Sequence, residues 1–191
     1  MPALIAEWRT LLNAQTPPFL MVQLANIGRS DKTAWAAFRE AQADIAKDGK
    51  DIGLAVTIDR GEANNIHPAA KQDVGGRLAL QALALAYGKA VESSGPVFLG
   101  LERKNAALLV AFSHADRGLV AKDGPLTGFS VAGADKVFFP AEAAIADGRG
   151  IISSGKVQEP VYDRYAWSDN PVCTLYNSEG LPAIPFRTDK P

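Results

Sequence analysis

Two stretches of this chain are apolar almost without a break: Phe19-Leu20-Met21-Val22-Gln23-Leu24, which follows Pro17-Pro18, and Gly53-Leu54-Ala55-Val56-Thr57-Ile58-Asp59. Runs of this kind suit strands buried on both faces, as in a parallel sheet wrapped by crossover helices. Helical periodicity surrounds them. Leu4, Ile5, Trp8, Leu11 and Leu12 share one stripe, with Glu7 and Arg9 on the other side. Asp31 or Thr33 can cap a second helix whose stripe is Trp35, Phe38, Ala41 and Ile45, ending near Gly49. Pro68 opens a third, running through Val74, Leu78, Leu80, Leu83 and Leu85 to Gly88. The order helix, strand, helix, strand, helix makes this an α/β segment. Two strands are too few to bury the apolar stripes of three helices, so the sheet is expected to lack strands. Chemistry is expected in the loops after Leu24 and Asp59, because parallel sheets place their ligands at the carboxyl ends of the strands.

After Ser93-Ser94-Gly95-Pro96 the pattern changes to short alternating runs separated by Gly, Pro and Asp. Ala107 to Phe112, Gly128 to Ala132, Lys136 to Phe139, Gly150 to Ser153 and Val161 to Trp167 read as strands of an antiparallel, sandwich-like region. Leu181 to Arg187, with Pro182 and Pro185, reads as an extended tail laid on the surface. The expected organisation is residues 1–92 as the α/β part and 93–191 as the β-rich part.

Composition removes several function classes. Twenty Lys and Arg against 21 Asp and Glu give a net charge of −1, so no basic field gathers nucleic acid or anionic lipid. The single cysteine, Cys173, closes no internal disulfide, and with two histidines it makes no zinc site. Gly148-Arg149-Gly150 lacks the following helix that a phosphate loop needs, so no nucleotide or other cofactor is expected. Met1 to Arg9 has neither a basic leader nor a long apolar stretch, and so is no signal peptide.

The densest polar cluster is Asp59-Arg60-Gly61-Glu62-Ala63-Asn64-Asn65-Ile66-His67-Pro68, at the carboxyl end of the second buried run. A histidine there can serve as a general base toward a hydroxyl nucleophile, or it can be a surface or capping residue. The second histidine, His114, reads as a loop residue. Gly128-Phe129-Ser130-Val131-Ala132-Gly133 has the spacing G-x-S-x-x-G inside a β run, which makes Ser130 a strand residue rather than a nucleophile at a strand-to-helix turn.

Val56-Thr57-Ile58-Asp59, Asn65-Ile66-His67-Pro68, Lys71-Gln72-Asp73-Val74-Gly75 and Arg77-Leu78-Ala79-Leu80 closely resemble the catalytic-histidine segment of bacterial sialate O-acetylesterases, within the SGNH (GDSL-type) hydrolases. The resemblance also takes in Val22-Gln23-Leu24-Ala25, Arg39-Glu40-Ala41-Gln42, Arg164-Tyr165-Ala166-Trp167 and Pro185-Phe186-Arg187-Thr188-Asp189, and so spans nearly the whole chain. It implies the C-terminal part of a flavodoxin-like three-layer α/β domain followed by a β-sandwich-like region. It further implies serine acyl transfer that removes acetyl groups from sugars. His67 matches the family's catalytic base, while the family's nucleophilic Ser and oxyanion residues fall before the point where this chain begins.

The orienting acid usual in that class falls at Asn64 or Asn65 here, with Glu62 or Asp59 able to substitute if the loop folds back. Tyr165 or Trp167 could flank the sugar. The resemblance implies an acetylated sugar as substrate, no nucleic-acid or membrane partner, and a chain that supplies the N-terminal half. Full-length relatives are usually periplasmic or extracellular, but nothing in these residues gives an address. By itself the chain is expected to be inactive; the alternatives are a non-catalytic carbohydrate-binding or structural remnant, or one subunit of a split esterase.

Overall fold

The computed structural model describes residues 1–13, 17–28, 34–67 and 69–190. The first half comprises α1 (Pro2–Leu11), β1 (Phe19–Val22), α2 (Ala34–Asp48), β2 (Ile52–Ala55) and α3 (Lys71–Leu85), in the expected order. β1 and β2 pair in parallel, Phe19 opposite Ile52 and Val22 opposite Ala55. Asp31, Thr33 and Pro68, the expected helix starts, lie outside the described residues.

The helices meet the strands differently from the pattern of apolar stripes. α2 buries Ala36, Arg39 and Gln42 and leaves Phe38 55% exposed; α3 buries Arg77 and Gln81 and leaves Leu83 and Leu85 partly in solvent. The reason lies in the backbone. The Gln23 N–H donates to Ala55 O, so the odd positions of β1 face β2, and Val22 and Leu24 face outward. Gln42 serves this free edge as a neighbouring peptide would, donating to Val22 O at 3.1 Å and accepting the Leu24 N–H at 2.9 Å. On β2 and its extension, Gln81 donates to Leu54 O and Arg77 to Val56 O. With only two strands, outward amides and carbonyls need partners more than the helices need apolar contact.

Arg39 extends this logic. Its side chain is fully buried and donates to Leu24 O at 2.8 Å, Ser168 O at 2.9 Å, Ala25 O and Asp169 O at 2.9 Å each, and Asn26 Oδ1 at 3.1 Å. Asp169 in turn accepts the Trp35 N–H at 2.9 Å, so the start of α2 and the end of β1 are pinned to a segment from the second half.

The second half is antiparallel. It contains β3 (Val97–Lys104), β4 (Ala107–Ser113), β5 (Leu119–Ala121), β6 (Phe129–Ala132), β7 (Phe139–Pro140), β8 (Glu142–Ala146), β9 (Arg149–Ser153), β10 (Tyr162–Tyr165), β11 (Leu175–Asn177) and β12 (Phe186–Arg187). Two four-stranded sheets, β3-β4-β9-β8 and β12-β10-β6-β7, accompany a β11-β5 pair. Leu108, Val110 and Ile152 from one sheet share a core with Val131, Tyr165 and Phe186 from the other, and Met21, Leu54 and Ile58 of the first half join the same cluster. The architecture is thus mixed α/β, three helices with several antiparallel sheets.

Two expectations are corrected here. Lys136 has a left-handed φ of 57°, which breaks the 136–139 run so that only Phe139 and Pro140 pair with β6. Leu181 to Arg187 is extended but not superficial. Leu181, Ala183 and Phe186 are buried, the Ala183 N–H donates to Leu175 O and the Ile184 N–H to Pro96 O, and β12 pairs with β10. The prolines are accommodated because the residues between them supply the N–H groups.

One core residue breaks the apolar rule. Asp163 on β10 is 0% exposed and neither carboxylate oxygen has a hydrogen-bond partner among the described residues. Burial pushes its pKa up to about 8, against a weaker opposing pull from the Arg164 backbone N–H. Because the folded state holds this proton more tightly than the unfolded chain does, the group costs stability as pH rises from about 4 toward that value, by up to about 1.4 kcal/mol per pH unit. Urea unfolding from pH 4 to 8 is expected to show Asp163→Asn more stable than the parent at pH 7, with the advantage shrinking toward pH 4. Arg39→Met, which takes a donor from four carbonyls and one side-chain oxygen and leaves Leu24 O and Ser168 O without their side-chain partner, is expected to cost at least about 3 kcal/mol in the same assay.

Candidate functional site

The loops that follow β1 and β2 meet. Gly61 lies so close to Asn26 that a Cβ there would sit 2.1 Å from the Asn26 backbone nitrogen, so only glycine fits without displacing one loop. The Gly28 N–H donates to Ala63 O at 2.7 Å, a second stitch between the same loops. The carboxyl ends of both strands therefore share one surface, where the sequence pattern places the chemistry.

Asp59 anchors this surface from below. Its carboxylate takes a two-pronged hydrogen bond from Arg77 at 2.6 and 2.7 Å and a third from the Tyr176 hydroxyl on β11 at 2.9 Å. Burial alone would raise the Asp59 carboxyl, but the Arg77 hydrogen bonds and charge, with Arg60 and Tyr176, hold it below its ordinary value. Burial and the Asp59 charge push the Tyr176 phenol the other way, so it stays protonated and remains a donor. Arg60 is shared with Asp73 at 2.6 Å on the first turn of α3.

Above this anchor the loop turns on itself. The Asn65 N–H donates to Glu62 O, the Glu62 carboxylate accepts the Ala69 N–H at 3.0 Å, and Asn65 Oδ1 accepts the His67 backbone N–H at 2.9 Å. His67 stands exposed at the crest. Of the candidate orienting residues, Asp59 is committed to Arg77 and Tyr176, Glu62 to Ala69, and Asn65 to the His67 backbone, while Asn64 is exposed. The structure gathers all of them in one loop and hydrogen-bonds none to the His67 ring. Among the described residues no serine hydroxyl is hydrogen-bonded to that ring either.

The aromatic candidates separate. Tyr165 is 1% exposed, packs against Phe129 at a centroid distance of 4.7 Å and accepts the Leu175 N–H at 2.9 Å, which makes it a core residue. Trp167 is half-buried with the Arg187 guanidinium 4.9 Å from its ring. Arg39, Arg77 and Tyr176 have no site role in the sequence pattern, although Arg39 and Arg77 fall inside the motifs that carry the resemblance. The spacings Arg39/Gln42 and Arg77/Gln81 do place polar pairs on one helical face, a signal hidden by the stronger apolar stripes beside them.

No protein-family model matches the chain, and no curated protein matches it. Among solved structures it is similar to a carbohydrate acetylesterase from Xanthomonas citri, with 40% identity and a TM-score of 0.91 over 98% of this chain. The match spans 45% of that protein's chain, so the present chain corresponds to less than half of its length.

Removing the Tyr176 hydroxyl in Tyr176→Phe is expected to cost about 1–2 kcal/mol, and Asp59→Ala, which strands Arg77, about 3–5 kcal/mol, both read by urea unfolding at pH 7. Since the folded Asp59 carboxyl lies below its unfolded value, its contribution is present above about pH 3.9 and is lost as pH falls through the folded value. The gap between parent and Asp59→Ala therefore closes in acid.

Proposed function

We propose that this chain is the histidine-bearing C-terminal part of a carbohydrate O-acetylesterase of the sialate O-acetylesterase kind, its first half being the trailing β/α units of an SGNH-type three-layer domain. The observation that carries this reading is the 40% identity across 98% of the chain to a carbohydrate acetylesterase. The position of His67, exposed on a loop at the carboxyl end of β2, supports it. In this reading His67 takes the proton of a serine hydroxyl as that oxygen attacks the acetyl carbonyl. It then returns the proton to the departing sugar oxygen, and water repeats the sequence to release acetate. The serine and the donors that hold the tetrahedral oxyanion come from a polypeptide beyond these residues, and Trp167 flanks the sugar.

Asn65 acts here through the backbone. By accepting the His67 N–H it fixes the turn that presents the ring, a positioning role that needs no charge. A neutral amide does not stabilise an imidazolium as a carboxylate does, so the base is expected to be weaker than in a triad with an acid. A non-catalytic, sugar-binding role is the second reading, favoured by the Asn65 amide being bound to backbone rather than to the ring.

The test is reconstitution. The chain alone is expected to release no acetate from acetylated xylo-oligosaccharide or 4-nitrophenyl acetate. Mixed with or fused to the N-terminal half of the Xanthomonas citri enzyme, it is expected to gain turnover that falls at least 100-fold in His67→Ala. Turnover by the chain alone that vanishes in His67→Ala would refute the division of labour; reconstituted turnover unaffected by His67→Ala would refute the role of the base.

A further inference from the structure

A cleft of about 860 Å³ is lined by residues of both halves of the fold and by none of residues 59–67, so the His67 loop is not part of it. The volume is within the range of small-molecule sites, about 300–1,000 Å³, and the junction of two structural units is where such sites concentrate. Its walls include Ile52 and Leu54 from β2, Val97 and Phe98 from β3, and Ile184 and Phe186 from the C-terminal segment. Phe98 and Phe186 stack with centroids 4.6 Å apart.

At one end of the cleft stands His114, with Ser93, Ser94 and Ser113 lining the same wall. Its Nδ1 is 2.8 Å from Glu92 Oε1. The Ser93 and Ser94 backbone N–H groups donate to that same oxygen, which fixes the carboxylate before the imidazole meets it. Burial alone would raise the Glu92 carboxyl, but the Ser94 amide, His114 and the Ser93 amide hold it below its ordinary value, so it is an anion that selects the Nδ1–H tautomer. Nε2 is left as an acceptor with no partner among the described residues. The His114 backbone is held in the left-handed region at φ 56°, an arrangement that costs free energy in a residue other than glycine, and Asn177 holds it there by donating to His114 O at 3.0 Å and to Ser94 O at 2.9 Å.

Both lining carboxylates are already paired, Glu40 with Arg187 and Lys190, and Asp44 with Lys190. Lys47 also lines the cleft and has no ion pair among the described residues, so the lining presents one free ammonium and no free carboxylate. What the cleft offers is apolar wall interleaved with hydroxyls, one imidazole acceptor and one ammonium donor. A neutral sugar chain has the complementary surface, since its pyranose rings carry C–H faces and a rim of hydroxyl donors.

We propose that this cleft is a second carbohydrate-binding site, distinct from the His67 loop, in which His114 Nε2, oriented by Glu92, accepts a hydrogen bond from a hydroxyl of a neutral oligosaccharide. The proposal rests on the carbohydrate reading above and adds a place that holds the sugar chain away from the reacting ester.

Amide NMR titration of the 191-residue chain with xylohexaose tests it. Saturable shifts at Ser93, Phe98, Ser113 and Phe186 are expected, and these should persist in His67→Ala. His114→Asn is the discriminating variant. An asparagine Nδ2 can replace the donor to Glu92 and tolerates positive φ, so the fold is kept while the Nε2 acceptor is lost. Binding is expected to weaken at least tenfold in it, and likewise in Leu85→Trp, which fills the cleft from α3. Shifts confined to residues 59–67 would overturn the second site and leave the carbohydrate reading standing. No shifts at all, or equal affinity in His114→Asn, would also overturn it, while the esterase reading is judged separately by reconstituted turnover.

Discussion

A guanidinium sealed in a protein interior is tolerable only where its donors are met, and Arg39 meets five acceptors drawn from two distant stretches of the chain, 24–26 and 168–169. Burial draws its pKa down to about 10, with Asp169 and Cys173 pulling the other way, so it remains a cation at neutral pH. Its partners are the Leu24 and Ala25 carbonyls and the Asn26 side chain in the segment after β1, and the 168–169 bend that enters from the β-rich half. The loop after β1 is thereby fixed in space. Since that loop packs directly on Gly61, the loop after β2 is fixed with it, and the position of His67 depends on an arginine in a different helix.

The two-stranded sheet survives through similar means. Two parallel strands are ordinarily marginal, with unpaired backbone on both sides. Here Gln42 occupies one outer edge and Arg77 with Gln81 the other, so the helices act as polar clamps as much as apolar covers. On these two helices Phe38, Leu83 and Leu85 are left toward solvent, and α1 adds an exposed apolar face of its own. Leu11 at the end of α1 is 73% exposed, and Trp8, Leu12 and Phe38 are also exposed.

Both strands, the helix order and the change of grammar near Ser93 were legible in the sequence because each rests on local periodicity, and so was the loop carrying His67; burial of the first run on both faces was not borne out, since Val22 on the open side of β1 is 40% exposed. Which face of α2 points inward was not legible. Periodicity assigns the apolar stripe to the core, and only the sheet's lack of further strands makes carbonyl partners more valuable than apolar contact. The course of Leu181 to Arg187 escaped for a related reason, because prolines signal an edge, whereas the burial of Ala183 and Phe186 follows from distant partners on β10, β11 and the segment before β3. The Asp59–Arg77–Tyr176 cluster joins residues up to 117 positions apart, beyond any spacing rule. Asp59 was a candidate to orient the histidine, and its actual engagement with Arg77 and Tyr176 makes it the footing of the loop.

Gly61 carries a consequence for heritable variation in this chain. Any other residue there drives a carbon into the backbone of Asn26, a loop more than 30 positions away in sequence. A single missense change at this codon thus behaves as a double lesion, moving the segment that leads to His67 and the segment held by Arg39 together. Compensation would have to arise in two loops at once, which makes the position a one-way gate for sequence drift.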